Sequence, residues 1–509
     1  MTPPEQPQPL VQSQPLDQPQ LLDQPQPLGA FGFPAGLLLV AAGSPEVDAA
    51  RRELVAGRLP AVWPEPLRGH ERVHEDDVPG ALACFDGSDP VTRYNRWVLD
   101  PRSEPADEVR AALPAGYAPL VDVVLSTIGL PTIGLPTVAN GELPGQDVDG
   151  LPAEVAALVL ASRASAAAEH GDGRSAAALL EAGARAAGPQ NPALAAVLLG
   201  NAGTLLRENG DPDRARSLLV EAADALAGTD LGEVRAELLH QRGSISQEDA
   251  ARGAGDAREL LQEAMQYYYD GLHLVTEQSA PYLWASLQMN LATAHLASPM
   301  TQASDQLRLG VATQALRACR RVFTPQEHPG PWSAATVNLA NALVYTPSTH
   351  QADNLVEAVE LYEAVLESGV RDRDQLGRAR VLANQGNALA HLGIFDQARA
   401  KLVEARYLFE SQLDHESATA ARSVLDEIAK SEAAAPRDDL AGLADLARQA
   451  EQMARMPPSD SAFSSGMGVR ISGASTAGDQ TGPPPKPTVT VLPAGSAPRR
   501  PDQDGGGGR

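Results

Sequence analysis

"RVLANQGNALAHLGIFDQARAKLVEARYLFE", residues 380 to 410, contains two helical periods in succession. Leu382, Gly386 and Leu389 recur at spacings of four and three, which puts them on one helix face; Ala398, Leu402 and Ala405 repeat the pattern after Gly393. The small residues Gly386, Ala398 and Ala405 let two antiparallel helices approach closely, and the three leucines fill the space around them.

The same frame fits five earlier units. "LLGNAGTLLRENGDPDRARSLLVEAADAL", 198 to 226, places Gly203, Gly210, Ala215, Leu219 and Ala222 at matching offsets, with Asp211-Pro212 opening the second helix. Further units carry Ala164, Ala176 and Leu180; Gly243, Ala257, Leu261 and Ala264; Ala292, Ala312, Leu316 and Cys319; and Ala340, Ala358, Tyr362 and Val365. The second-helix alanines at 176, 215, 257, 312, 358 and 398 are separated by 39, 42, 55, 46 and 40 residues. Cys319 occupies a small-residue packing slot in this frame, and Trp284 and Trp332 stand at identical offsets before Asn290 and Asn338, a repeated packing role.

Over about residues 151–430 these positions resemble the tetratricopeptide repeat (TPR), with spacings longer than the family's 34 residues. The excess falls in "SPMTQASDQ" and "TPSTHQADN". The resemblance implies an all-α, right-handed superhelix of about six antiparallel helix pairs over 151–431, closed by a helix at 416–431 that buries Val424, Leu425 and Ile428. It also implies a scaffold or adaptor between proteins, whose first helices line a concave face. On that face fall Asn201, Thr204, Gln241, Asn290, Thr293, Asn338, Asn341, Asn384 and Asn387. An asparagine amide both donates to and accepts from a peptide backbone, so the ladder suits an extended partner segment; it equally suits bonds between neighbouring helices. TPR domains that clamp acidic chaperone tails set basic residues beside such asparagines. The corresponding slots here hold Ser286, Met289, Ala334 and Thr336, with only Arg380 basic, so that partner class is not expected.

Composition agrees with an all-α reading. Hydrophobic residues make up 43% of the 509, aromatics only 4%, and the apolar content is mainly Ala, Leu and Val. A formal charge of −25 disfavours nucleic acid and anionic membranes as partners. Cys84 and Cys319 are solitary, which suits a reducing compartment. The longest apolar run, "AGLLLVAAG" at 35–43, is too short to span a bilayer, so the protein is expected in the cytoplasm.

Outside the repeats, residues 1–28 are a Pro/Gln tail, expected to be disordered, as is the Pro/Gly/Ser-rich end at 456–509. Residues 29–145 read as a mainly helical module of unassigned role, with helical pieces at 46–57, 91–99 and 118–129 and a duplicated "TIGLPTIGLP" at 127–136. In "DPVTRYNRWVLDP" Asp89 caps a helix; Tyr94, Trp97 and Val98 share its inner face, leaving Arg93 and Arg96 for a solvated face or a ligand. "DDLAGLADLARQAEQMAR" predicts an amphipathic helix at 437–455.

Catalytic signatures are few. There is no GxSxG elbow, no GxxxxGK loop and no CxxC pair, so no enzyme activity and no cofactor is expected. "HERVHEDD", 70–77, carries the His-Glu-x-x-His spacing of zinc proteases, which makes His70 and His74 candidate metal ligands and a zinc hydrolase an alternative function. Its flanking prolines, the following Glu75, Asp76 and Asp77, and the lack of a third ligand favour a wet, acidic segment without metal. A receptor that senses a small peptide is the other alternative.

Overall fold

The computed structural model describes residues 26–27, 29–41, 43–130, 148–188, 190–298, 306–346 and 351–434. Among them are nineteen α-helices and a single pair of two-residue strands, so the protein is all-α. The Pro/Gln tail up to residue 25, the repeat at 131–136, the 437–455 segment and the 456–509 end lie outside the described residues.

The N-terminal part contains β1 (Gln26–Pro27), β2 (Leu39–Val40), α1 (Pro45–Val55), α2 (Arg68–His74), α3 (Val78–Cys84), α4 (Pro90–Leu99), α5 (Ala106–Ala112) and α6 (Leu120–Thr127). Twelve helices of the repeats follow: α7 (Ala153–Glu169), α8 (Gly173–Ala187), α9 (Pro192–Glu208), α10 (Pro212–Ala225), α11 (Gly232–Arg252), α12 (Ala257–Leu272), α13 (Pro281–Ala297), α14 (Gln306–Val322), α15 (Pro329–Tyr345), α16 (Gln351–Glu367), α17 (Gln375–His391) and α18 (Phe395–Ser411). The closing helix α19 (His415–Ala434) buries Val424 and Ile428 against Leu389, Ala398 and Leu402.

Local chemistry sets the helix starts. Proline stands at the first position of α9, α10, α13 and α15, where its missing N–H would have had no partner. Side chains satisfy other first-turn donors: Asp172 accepts from the Ser175 N–H at 3.1 Å, Asn191 from Leu194 at 3.0 Å, Asp211 from Arg214 at 3.3 Å and Asp374 from Gly377 at 2.8 Å.

Close approach within a helix pair rests on glycine. A Cβ on Gly203 would lie 2.8 Å from Leu219 Cγ and 3.2 Å from the Ala215 carbonyl; on Gly386 it would lie 2.7 Å from Leu402 Cγ and 3.1 Å from the Ala398 carbonyl. The two pairs are therefore packed alike. Ala398, Ala405, Ala215, Ala176, Ala312, Ala358 and Cys319 are all buried, as the frame requires. Cys319 donates its thiol to the Leu316 carbonyl at 3.2 Å, and burial pushes the thiol up to about 12, which leaves it unreactive. Ala257 does not fit. It begins α12 and is exposed, and Gly243 faces Tyr268 instead. Tyr268 thus holds the slot of Leu219 and Leu402, and Ala264, fully buried, is the third second-helix alanine. The spacings around it become 49 and 48 residues in place of 42 and 55.

Two compact units divide the chain, one ending at Leu238 and the next beginning at Leu239, within α11. In the first, consecutive helices α7 to α10 pack pairwise, and N-terminal elements pack onto them: β1 and α6 on α7, and α1 on α9. The Leu59 N–H donates to Asp230 Oδ2 at 2.7 Å, and the Asp230 N–H to the Gly57 carbonyl at 2.8 Å. At the centre Arg51 of α1 gives two bonds, 3.0 and 2.9 Å, to Glu154 of α7, and Asn191 adds a third at 3.1 Å. In the second unit α12 to α19 pack in sequence, and alternate helices also touch: α13 with α15, α15 with α17, α17 with α19. Helix-pair repeats packed in order make this a solenoid, built over a core that includes Trp332, Phe323, Tyr362 and the partly buried Trp284. No helix among the described residues is long and apolar enough to cross a membrane.

Candidate functional site

The first-helix face of the second unit carries most of the asparagine ladder. Asn290, on α13, and Asn384, on α17, occupy the same slot of their helices, and each reaches back to the preceding first helix. The Asn384 amide donates to Asn341 Oδ1 of α15 at 2.9 Å, and Asn341 also accepts the Tyr362 hydroxyl at 2.6 Å. The Asn290 amide lies 2.8 Å from His240 Nε2 and 3.3 Å from Ser244 Oγ, both on α11. Ser244 follows Gly243 as Asn387 follows Gly386, so one linkage is built twice. A lone pair on His240 Nε2 receives the amide hydrogen, which assigns its ring hydrogen to Nδ1. Such cross-helix amide bonds contribute about 1 kcal/mol each and set the spacing of the stack.

Other members are also spent or covered. Thr293 donates to the Met289 carbonyl at 2.8 Å and Thr204 to the Gly200 carbonyl at 3.2 Å. Gln241 is buried. Asn201, half-buried, lies with Thr204 on α9 of the first unit.

Asn338 on α15 and Asn387 on α17 differ from these. Both are half-buried and their amides make no bond within the described structure. The Asn341–Asn384 bond sits between them. One turn before it lie Asn338 and Arg380, an exposed guanidinium with no ion-pair partner among the described residues; one turn beyond it lie Asn387 and Tyr345, which is 47% exposed. His391 follows Asn387 by four residues; burial lowers its pKa, against the pull of Glu427 on α19. The patch offers two amides, a cation and an aromatic edge. It contains no nucleophile set beside a base. Tyr345, His240 and Ser244 escaped the ladder as read from sequence because it was assembled from amides and threonines; extending its three-and-four spacing by one turn leads to Tyr345.

The HERVH segment is not the wet segment expected. It forms α2, and His70 is only 3% exposed. His70 Nε2 lies 3.2 Å from the Leu39 carbonyl. A carbonyl only accepts, so Nε2 carries the hydrogen and the buried Nδ1, which has no partner, carries the lone pair. The ring meets Phe85 edge-on, while His74 packs on Phe31 and Trp63. Burial lowers both imidazoles to about 4. No group of three or more His, Cys, Asp or Glu among the described residues is placed to hold a metal. The aromatic surroundings, hidden behind the motif's charged neighbours, make these packing histidines. Arg93 and Arg96, both half-buried, are engaged within the protein: Arg93 pairs with Glu104, and Arg96 donates to the Phe85 carbonyl at 3.0 Å and the Gly87 carbonyl at 3.3 Å.

No family model matches the chain, and no curated protein is similar to it.

Proposed function

We propose that this chain is a non-catalytic scaffold or adaptor of the tetratricopeptide-repeat type, which holds an extended segment of a partner protein across α15 and α17. The observation that carries the reading is the uneven use of one ladder. Asn290 and Asn384 bond to the preceding helix, whereas Asn338 and Asn387 keep donor and acceptor for another molecule. Both side chains are only half-buried, so their amides remain open to solvent, and a peptide backbone laid along the face would replace that water with a donor and an acceptor. Arg380 adds one charge-assisted bond at the edge of the same patch. The acidic surface supports a protein rather than a nucleic acid as partner, and the solitary cysteines support a cytoplasmic setting.

The test is photo-crosslinking from benzoylphenylalanine placed at Tyr345, in the cells that make the protein, beside the same probe in an Asn338→Ala/Asn387→Ala background. A discrete protein adduct in the first and its loss in the second, at unchanged helix content, supports the assignment. The same adducts from both, or none from either, would remove it.

A further inference from the structure

We propose that the β2 edge is a docking site for the sequence Pro-Gln-Pro-Leu, and that the copy at residues 7–10 of the same chain exchanges there with the copy at 25–28, which supplies β1. Asn95 of α4 occupies one side of β2: its Oδ1 accepts the Leu39 N–H at 2.7 Å and its Nδ2 donates to the Leu39 carbonyl at 2.8 Å. In an antiparallel ladder the N–H and C=O of one residue point to the same side, and those of the next residue to the opposite side. The ladder to β1 therefore runs through Val40, whose partner is Gln26, while Pro27 falls opposite Leu39. At that position nothing asks the incoming strand for an N–H. Proline is tolerated there, and one residue earlier it would leave the Val40 carbonyl without its donor. The edge thus accepts a strand with a backbone N–H opposite Val40, here from Gln26, and tolerates proline opposite Leu39, and the Gln-Pro order of the motif meets both conditions.

The chain contains that motif twice. "QPQPL" stands at 6–10 and again at 24–28, identical over five residues and joined by the thirteen residues 11–23. Pro19-Gln20-Leu21 lacks the second proline. A ligand tethered at such short range is present at an effective concentration on the order of millimolar, so the upstream copy needs no second chain to compete. Exchange alters what is free: residues 1–24 precede the docked motif in one state, and residues 1–6 in the other, with 11–28 closed into a loop.

Hydrogen exchange at the Val40 amide reads occupancy of the edge, and the Leu382 amide in α17 serves as a control for folding. In the full-length chain, Gln26→Pro sets a ring where the Val40 carbonyl takes its hydrogen, and Gln8→Pro does the same to the upstream copy. Protection at Val40 is expected to survive either single substitution and to be lost in the double variant, with Leu382 unchanged. Deletion of 11–28, which joins Leu10 directly to Gly29, is expected to keep Val40 protected. Loss of protection in Gln26→Pro alone or in the deletion, or its persistence in the double variant, would overturn the proposal.

Discussion

Replacing Arg51 with methionine tests how the N-terminal elements are pinned to the first repeats. The Arg51 and Glu154 side chains are 5% and 1% exposed, and among the described residues Asn191 is the only other group seen to bond the carboxylate. Removing the cation leaves a buried charge with one amide partner, which costs about 3–5 kcal/mol. Burial already pushes the Glu154 carboxyl up to about 7 against the pull of Arg51. Without the guanidinium it titrates higher still, and protonation limits the loss, so Arg51→Met is less damaging at pH 5.5 than at pH 8. Exchange of α1 and α7 amides in the full-length chain, measured by mass spectrometry against α17 peptides of the second unit, should accelerate by about two to three powers of ten at pH 8. Arg51→Met/Glu154→Leu removes both charges together, and the loss of the Asn191–Glu154 bond costs about 1 kcal/mol. A single substitution that costs under about 1 kcal/mol, or a double that costs as much as the single, would refute a buried ion pair as the pin.

The remaining predictions concern single side chains. His70 has a folded pKa of about 4 against 6.5 for an exposed imidazole; because its folded value is depressed, its neutral form carries no penalty above pH 6.5, and stability falls by about 3 kcal/mol as pH drops from 6.5 towards 4. An NMR titration of His70 with a midpoint near 6.5 would contradict this. Tyr94 is fully buried with no partner for its hydroxyl, so Tyr94→Phe should be neutral or stabilising by up to about 1 kcal/mol, whereas Tyr362→Phe, which removes the bond to Asn341, should cost about 1 kcal/mol; urea titrations of the two variants decide it. Gly203→Ala and Gly386→Ala should each cost about 1–3 kcal/mol, since the same leucine and carbonyl contacts must give way; exchange rates in α9 and α17 would show the loss, and equal stability of either variant with wild type would count against the shared packing.

Much of the repeat architecture was legible because it is written in small residues at fixed offsets. A Cβ at Gly386 or Gly203 would press on Leu402 or Leu219 and on the carbonyl of Ala398 or Ala215, where two backbones meet. The third unit was misregistered because Tyr268 replaces the leucine of the slot, and Ala257, seven residues before Ala264, offers a false match two helical turns away. The ladder was legible as composition, not as use. Which amides are spent depends on the residue one helix earlier, Ser244 for Asn290 and Asn341 for Asn384, and that pairing spans 46 and 43 residues. His70 and Arg96 were misread for a related reason. Their partners are the backbone carbonyls of Leu39 and of Phe85 and Gly87, groups every residue carries and no motif displays.

The affinity of the partner captured at Tyr345, titrated calorimetrically against wild type, Asn338→Ala/Asn387→Ala, Arg380→Ala and Asn384→Ala, is the most direct test of the α15–α17 face. The account predicts that the first double variant and Arg380→Ala each lose at least about tenfold in affinity, or about 1.4 kcal/mol, with melting temperature unchanged. It predicts that Asn384→Ala lowers the melting temperature, because its amide holds the stack. Undiminished binding by Asn338→Ala/Asn387→Ala would contradict it.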